Sequence, residues 1–230
     1  MNSFSTSAGL YRPQFADEEL SNTANLLAIE LYGHGSTRTP YEHFTYWDTA
    51  LANLQVLAAL EISEAFVLGT SQGGWVTARM ALLEPQTVKG IMPLGTSMDY
   101  ESERSRELGC WDGIEFCTPA IDDLAGEVGD DWVVPGEFVD MVLGAGLGEN
   151  VSDEERDFWH TEYAKNYAGD DGRQRLRMCT INLRAAMACM DDSTALSARS
   201  CGCREPRTRC TRSPMRRMRS RGSPTRLPPN

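Results

Sequence analysis

Apolar residues in the first hundred positions fall into two alternating patterns. Residues 25–31 (NLLAIEL), residues 65–68 (AFVL) and Val88–Leu94 (VKGIMPL) are short apolar-rich runs. Runs of that length are expected of strands buried on both faces. Between them the spacing turns helical. Residues 45–60 place Trp47, Leu51, Leu54, Leu57 and Ala58 three and four apart, which predicts one amphipathic helix. Gln72–Leu83 predicts a second, stopped near Pro85, and residues 10–20 predict an earlier one. Strands alternating with helices predict an α/β fold with a parallel sheet and right-handed crossovers. Beyond Asp99 the chain turns acidic and mostly helical in character, with Trp111, Trp132 and Trp159 spread through it. Residues 127–131 and 144–149 read as loops. The predicted organisation is a core over 1–99, a helical segment over 100–190 placed over one end of the sheet, and a linker and tail over 191–230. No internal repeat is visible.

The densest chemical signal is Gly69-Thr70-Ser71-Gln72-Gly73-Gly74. It has the form G-x-S-x-G, follows an apolar strand and opens a helix, the context that a nucleophile elbow requires. Small residues at Gly69 and Gly73 let the chain turn sharply, so that a serine hydroxyl stands clear of the sheet. The backbone N–H of Gln72 then sits at a helix N-terminus and faces a developing oxyanion. The bland alternative is a glycine-rich turn whose serine caps the helix.

With these residues the chain resembles the α/β-hydrolase superfamily, of the serine type. Gly33-His34-Gly35-Ser36, after the run ending at Leu31, is similar to the G-H-G-x-S turn that follows a hydrolase strand. Glu30 and Tyr32 stand near the places of that family's acidic residue and proline. Residues 45–62 resemble the helix leading to the elbow strand, and residues 88–97 the strand after the elbow helix. The resemblance covers roughly residues 4–199. It implies a partial α/β-hydrolase parallel sheet with a helical cap. It also implies an acyl-enzyme on Ser71 and an oxyanion hole from the backbone of Gln72 and Phe4. The family's first strands, and the His-Gly that ends them, would lie before Met1-Asn2-Ser3-Phe4-Ser5, so the expectation is of a chain cut at both ends. In family order an acid and then a histidine follow the cap. This chain's three histidines, His34, His43 and His160, all come earlier. His34 reads as structural in its turn, His43 as a surface residue before a helix, and His160 as part of the cap. Asp191 and Asp192 read as turn-capping. The triad acid and base stay unassigned.

Charge divides the chain. The whole sequence carries a formal net charge of -11, made of -19 over residues 1–199 and +8 over residues 200–230. The tail holds nine Arg, five Pro and three Cys, with one Leu and no Val, Ile, Phe, Trp or Tyr. Such a composition cannot bury enough apolar surface to offset its ordering entropy, so the tail is expected to be disordered. An Arg-rich tail can bind RNA or an anionic membrane, whereas the acidic body argues against a nucleic-acid partner. Cys201, Cys203 and Cys210 lack a fourth ligand at zinc spacing, and no cofactor or metal is expected. Cys110, Cys117, Cys179 and Cys189 read as small core or cap residues. No apolar window is long enough for a transmembrane helix. No secretory signal is visible and the thiols read as reduced, which suits a cytoplasmic protein.

The function expected is hydrolysis of an ester, thioester or lactone of a small, partly apolar metabolite. Resemblance to small hydrolases of secondary-metabolite pathways extends this to a biosynthetic role. A catalytically incomplete fragment of the family is the alternative. The tail bears on that choice, because codons for residues 200–214, read in a shifted frame, can encode LWLQGTADPVYSVA. That string is an apolar strand ending in G-x-x-D-P, similar to the acid-bearing strand end of the family. Sequencing the mature transcript across the codon for Arg199 is expected to show an altered frame or splice; an uninterrupted frame would contradict it.

Overall fold

The computed structural model describes residues 1–39, 43–98, 103–148 and 150–185. Its central unit alternates two helices with two strands over residues 46–94. Helix α3 (Tyr46–Ala59) starts at Thr45 with a capping box. The Thr45 hydroxyl accepts from the Asp48 N–H at 3.3 Å, and the Asp48 carboxylate accepts from the Thr45 N–H at 2.7 Å. Two of the first-turn donors that a helix leaves open are thereby satisfied. The helix buries Tyr46, Ala50, Asn53 and Leu57. This corrects the face expected from spacing: Leu57 is in the core, but Leu51 is 47% exposed and Ala58 is also at the surface. Apolar residues lie on both sides of this helix, so hydrophobic spacing alone does not choose between them.

Strands β1 (Ala65–Thr70) and β2 (Val88–Leu94) pair in parallel, with Leu68 opposite Met92 and Thr70 opposite Leu94. Helix α4 (Gln72–Leu83) is the crossover between them and packs on both strands and on α3. Val76, Ala78, Met80, Val88 and Ile91 form the heart of this core with Leu31 and Ala50. The α/β reading of the elbow unit therefore holds to the residue for α4 and β2. Among the described residues the sheet has two strands. Phe66, Met92 and Leu94 are exposed, which corrects the expectation of strands buried on both faces: among the described residues the sheet is covered on one face.

Two expectations are corrected here. The single helix over residues 10–20 is a 3-10 turn (Ala8–Tyr11) followed by two short helices, α1 (Arg12–Ala16) and α2 (Glu18–Thr23). The break falls at Asp17, whose backbone is extended and whose carboxylate accepts from the Leu20 N–H at 2.8 Å. A good N-cap residue has there overridden an uninterrupted helical pattern. Residues 25–31 carry no strand ladder. Their inner end is instead tied to the start of the chain: the Leu31 N–H donates to Asn2 Oδ1 at 3.0 Å. Met1 in turn lies against β1, its nitrogen donating to the Leu68 carbonyl at 2.7 Å and its carbonyl accepting from the Thr70 N–H at 3.1 Å. Residues 1–2 thus sit between the run and the sheet, in the place of a ladder partner.

The remaining described chain is helical: α5 (Glu103–Glu107), α6 (Gly113–Asp123), α7 (Gly136–Leu147), α8 (Asp153–Asn166) and α9 (Gly169–Arg184). Helices α6 to α9 share a second apolar cluster around Trp159, Tyr163, Val139, Leu143 and Leu176, which also takes in Phe4. Residues 127–131 form the expected loop, but Gly144–Leu147 belong to α7. A Cβ at Gly144 or Gly146 would meet open space, so nothing forces the helix to stop until Gly148 turns to φ +87°. Cys117 and Cys179 are buried as expected, whereas Cys110 is exposed. No helix among the described residues is long and apolar enough to cross a membrane. The expectations for Cys189, Asp191, Asp192 and the tail over 200–230 lie outside the described residues.

The capping box gives a direct test of how α3 is held. Thr45→Ala removes it and is expected to cost about 1 kcal/mol in urea unfolding, with the midpoint lowered and the slope unchanged.

Candidate active site

The elbow is a problem of backbone proximity. Ser71 joins β1 to α4 at φ +53° and ψ -123°, a conformation that costs an L-residue of order 1–3 kcal/mol. Three hydrogen bonds hold it. The Ser71 N–H donates to the Leu94 carbonyl at 2.8 Å. The Ser71 carbonyl accepts from the Gly74 N–H at 2.8 Å and from the Thr96 hydroxyl at 2.7 Å. The turn is tight enough that a Cβ on Gly69 would lie 2.2 Å from the Gly73 carbonyl oxygen. One on Gly73 would lie 2.6 Å from the Met1 carbonyl oxygen, and one on Gly74 2.1 Å from the Thr96 hydroxyl. The sequence marked Gly69 and Gly73; Gly74 and Thr96 carry no motif signal and emerge only from the fold.

The Ser71 hydroxyl makes no capping hydrogen bond to α4, and the residue is partly exposed. A helix-capping serine would have an extended backbone and would spend its oxygen on the first-turn N–H groups. Neither holds here. Gln72 opens α4, so its backbone N–H is one of the donors without an intrahelical acceptor. The chain leading to Phe4 passes directly against the elbow, through the Met1 and Asn2 carbonyls beside Gly73. Phe4 itself is buried and meets Phe116 of α6 edge-on, with ring centroids 6.5 Å apart.

The Gln72 side chain has a role that the motif does not signal. It is buried at 1% exposure, accepts from the Tyr46 hydroxyl at 2.7 Å and lies 2.6 Å from His34 Nε2. His34 Nδ1 lies 2.8 Å from the Tyr32 carbonyl. A carbonyl can only accept, so Nδ1 carries the proton and Nε2 accepts from the Gln72 amide. Burial pushes the His34 pKa down to about 4, opposed by the bond to Tyr32, so the ring is neutral. The G-H-G-x-S turn is thus bolted to the first residue after the elbow serine. Glu30 completes the turn: its carboxylate accepts from the Ala8 N–H and the Ser36 N–H, both at 2.8 Å.

The structure brings Ser71, Gln72, Gly69 and Gly73 together and runs the chain to Phe4 alongside. It does not add a histidine. Both ring nitrogens of His34 are engaged in its network. His43 is exposed ahead of α3. His160 on α8 pairs with Asp140 of α7 at 2.9 Å, beside the Arg156–Asp140 ion pair. Among the described residues no group of three or more His, Cys, Asp or Glu side chains is placed to hold a metal ion.

The neutral state of His34 makes a prediction. Its folded pKa lies below the ordinary histidine value of about 6.5, so the unfolded chain binds the extra proton between pH 6.5 and about 4. Its contribution is fully present above pH 6.5 and is lost as pH falls to about 4, an order of 3 kcal/mol. His34→Gln is expected to flatten that part of a stability–pH curve measured by urea unfolding; an unchanged slope would show that His34 is not held neutral.

Comparison with known proteins agrees with this geometry. Residues 4–109 match the family model described as the alpha/beta hydrolase fold. A search of the curated proteins finds no match. Among solved structures, a probable hydrolytic enzyme of Pseudomonas aeruginosa PAO1 superposes with a TM-score of 0.61 at 19% identity, over 85% of this chain and 60% of that one. A structure from work on carboxylesterases of the thaumarchaeon Nitrososphaera gargenis gives 0.63 at 17%, over 86% and 66%. The enol-lactonase of Burkholderia xenovorans LB400 gives 0.56 at 19%, over 80% and 63%. The chain therefore spans about two thirds or less of the length of these structures. The elbow, the G-H-G-x-S turn and these matches together identify the chain as an α/β-hydrolase-fold protein.

Proposed function

We propose that the chain is a serine hydrolase whose Ser71 forms an acyl-enzyme with an ester, thioester or lactone of a small, partly apolar metabolite. The observation that carries this is the pairing of a positive φ at Ser71 with a hydroxyl that caps nothing. Strain of this kind is retained where it places a reacting atom. In the reaction the Ser71 Oγ attacks the carbonyl carbon, and its proton leaves with the alcohol or thiol. Water then hydrolyses the acyl-serine and regenerates the hydroxyl. The developing oxyanion is received by the Gln72 N–H at the start of α4 and by the Phe4 N–H. Helices α6 to α9 act as the cap, with Phe116 against Phe4. Carboxylesterase and lactonase neighbours favour acyl chemistry.

A second reading has its own observation. None of this chain's three histidines is placed at Ser71, so the chain itself is a catalytically incomplete member of the fold. A serine without its base keeps only the rate that the oxyanion hole and binding supply. Labelling with a fluorophosphonate probe, beside turnover of p-nitrophenyl butyrate, separates the two. The first reading predicts labelling lost in Ser71→Ala, with turnover at least about 100-fold above that variant, the scale of one general base. A folded chain that does not label, or that labels without turnover, supports the second reading and contradicts the first.

A further inference from the structure

Two consecutive polar contacts tie the turn after Phe4 to helix α8. The Ser5 hydroxyl and the Tyr163 hydroxyl share a hydrogen bond of 2.5 Å, both residues buried. Two residues on, the Ser7 hydroxyl donates to Glu162 Oε2 at 2.5 Å. Further along, Arg12 bonds Glu155 of the same helix at 2.7 Å and lies over the Phe158 ring. Within this segment Ser5 alone has a positive φ, +53°. It lacks the glycine that would adopt that conformation freely. Backbone–backbone bonding in the turn amounts to one bond of 3.3 Å from the Thr6 N–H to the Ser3 carbonyl. The side chain of Asn2 adds bonds to the Ser3 and Thr6 carbonyls. The Thr6 hydroxyl also donates to the Ser3 carbonyl, at 2.9 Å. These bonds lie within residues 2–6, whereas the Ser5 hydroxyl is what ties residue 5 itself to another element, through Tyr163.

We infer that Tyr163 is a positioning residue for the oxyanion hole. Its hydroxyl holds Ser5 in the left-handed region, which fixes the Phe4–Ser5 peptide and so restrains the Phe4 backbone, whose own N–H lies one peptide earlier. This rests on the reading of Ser71 and Phe4 given above. Tyr163 touches no reacting atom and acts through Ser5. Its neighbour Tyr167, one helical turn away with ring centroids 5.7 Å apart, is equally buried, yet its hydroxyl has no hydrogen-bond partner. That contrast separates the bond from mere aromatic packing. Burial raises the Tyr163 hydroxyl well above the usual phenol range, so it stays protonated and the effect carries no pH dependence of its own near neutrality.

Tyr163→Phe and Ser5→Ala test this, with Tyr167→Phe as the packing control. Two measurements are made on the full chain: amide hydrogen exchange across residues 3–7, and the rate of fluorophosphonate labelling at Ser71. Tyr163→Phe is expected to speed exchange over residues 3–7 and to slow labelling about 10-fold, part of the loss seen when an oxyanion donor is removed outright. Ser5→Ala does the same, and the double variant is no worse than either single. Any turnover falls in kcat at constant KM. Tyr167→Phe changes neither measurement. Unchanged exchange in Tyr163→Phe overturns the positioning role whether or not the wild-type chain labels, and faster exchange with undiminished labelling overturns its link to the oxyanion hole. Absence of labelling in the wild-type chain overturns the reading of Ser71 and with it the catalytic link, while the exchange result still decides whether Tyr163 holds the turn.

Discussion

A single added carbon at Gly69 would sit 2.2 Å from the Gly73 carbonyl oxygen, and the geometry of the elbow follows from that closeness. Because the strand end and the helix start are pressed together, the residue between them has no ordinary conformation open to it. Ser71 takes φ +53° and is held there by the Leu94 carbonyl, the Gly74 N–H and the Thr96 hydroxyl. The strain is local, and the rigidity that sustains it is shared. Strand β2 supplies one acceptor, the loop after it supplies Thr96, and the Met1 and Asn2 carbonyls close against Gly73 from the other side.

The second support is polar and buried. Gln72 joins the elbow to α3 through Tyr46 and to the G-H-G-x-S turn through His34. A buried amide is costly unless its groups are paired, and here both of its ends are used. The same economy explains His34. A ring whose two nitrogens are engaged and whose burial holds it neutral is a strut between segments. It is poorly suited to accept a proton from Ser71.

The sequence carried the elbow almost completely, because each part is a local requirement: apolar strand, small residues at the turn, helix after. The bounds of α4 and β2 fall where the pattern put them. The face of α3 did not follow, because Leu51, Val56 and Leu60 are apolar yet outward. Spacing cannot weigh two apolar faces against each other. The run at 25–31 looked like a strand because strand propensity is local, whereas a ladder needs a neighbour, and residues 1–2 stand in that place. The helix over 10–20 was broken by Asp17, a cap hidden inside a periodic pattern. Gln72, Thr96 and the Ser5–Tyr163 pair were invisible for another reason: each acts through a partner distant in sequence, at separations from 25 to 158 residues.

The central claim is that the fold forces Ser71 into a strained turn with its hydroxyl free for attack. The most direct measurement is a crystal structure of the chain after reaction with a small phosphonate. The account predicts Ser71 at positive φ, a covalent bond from its Oγ to phosphorus, and a phosphonyl oxygen within hydrogen-bond distance of the Gln72 and Phe4 N–H groups. An unmodified Ser71 with an ordinary negative φ, its hydroxyl capping the first turn of α4, would contradict it.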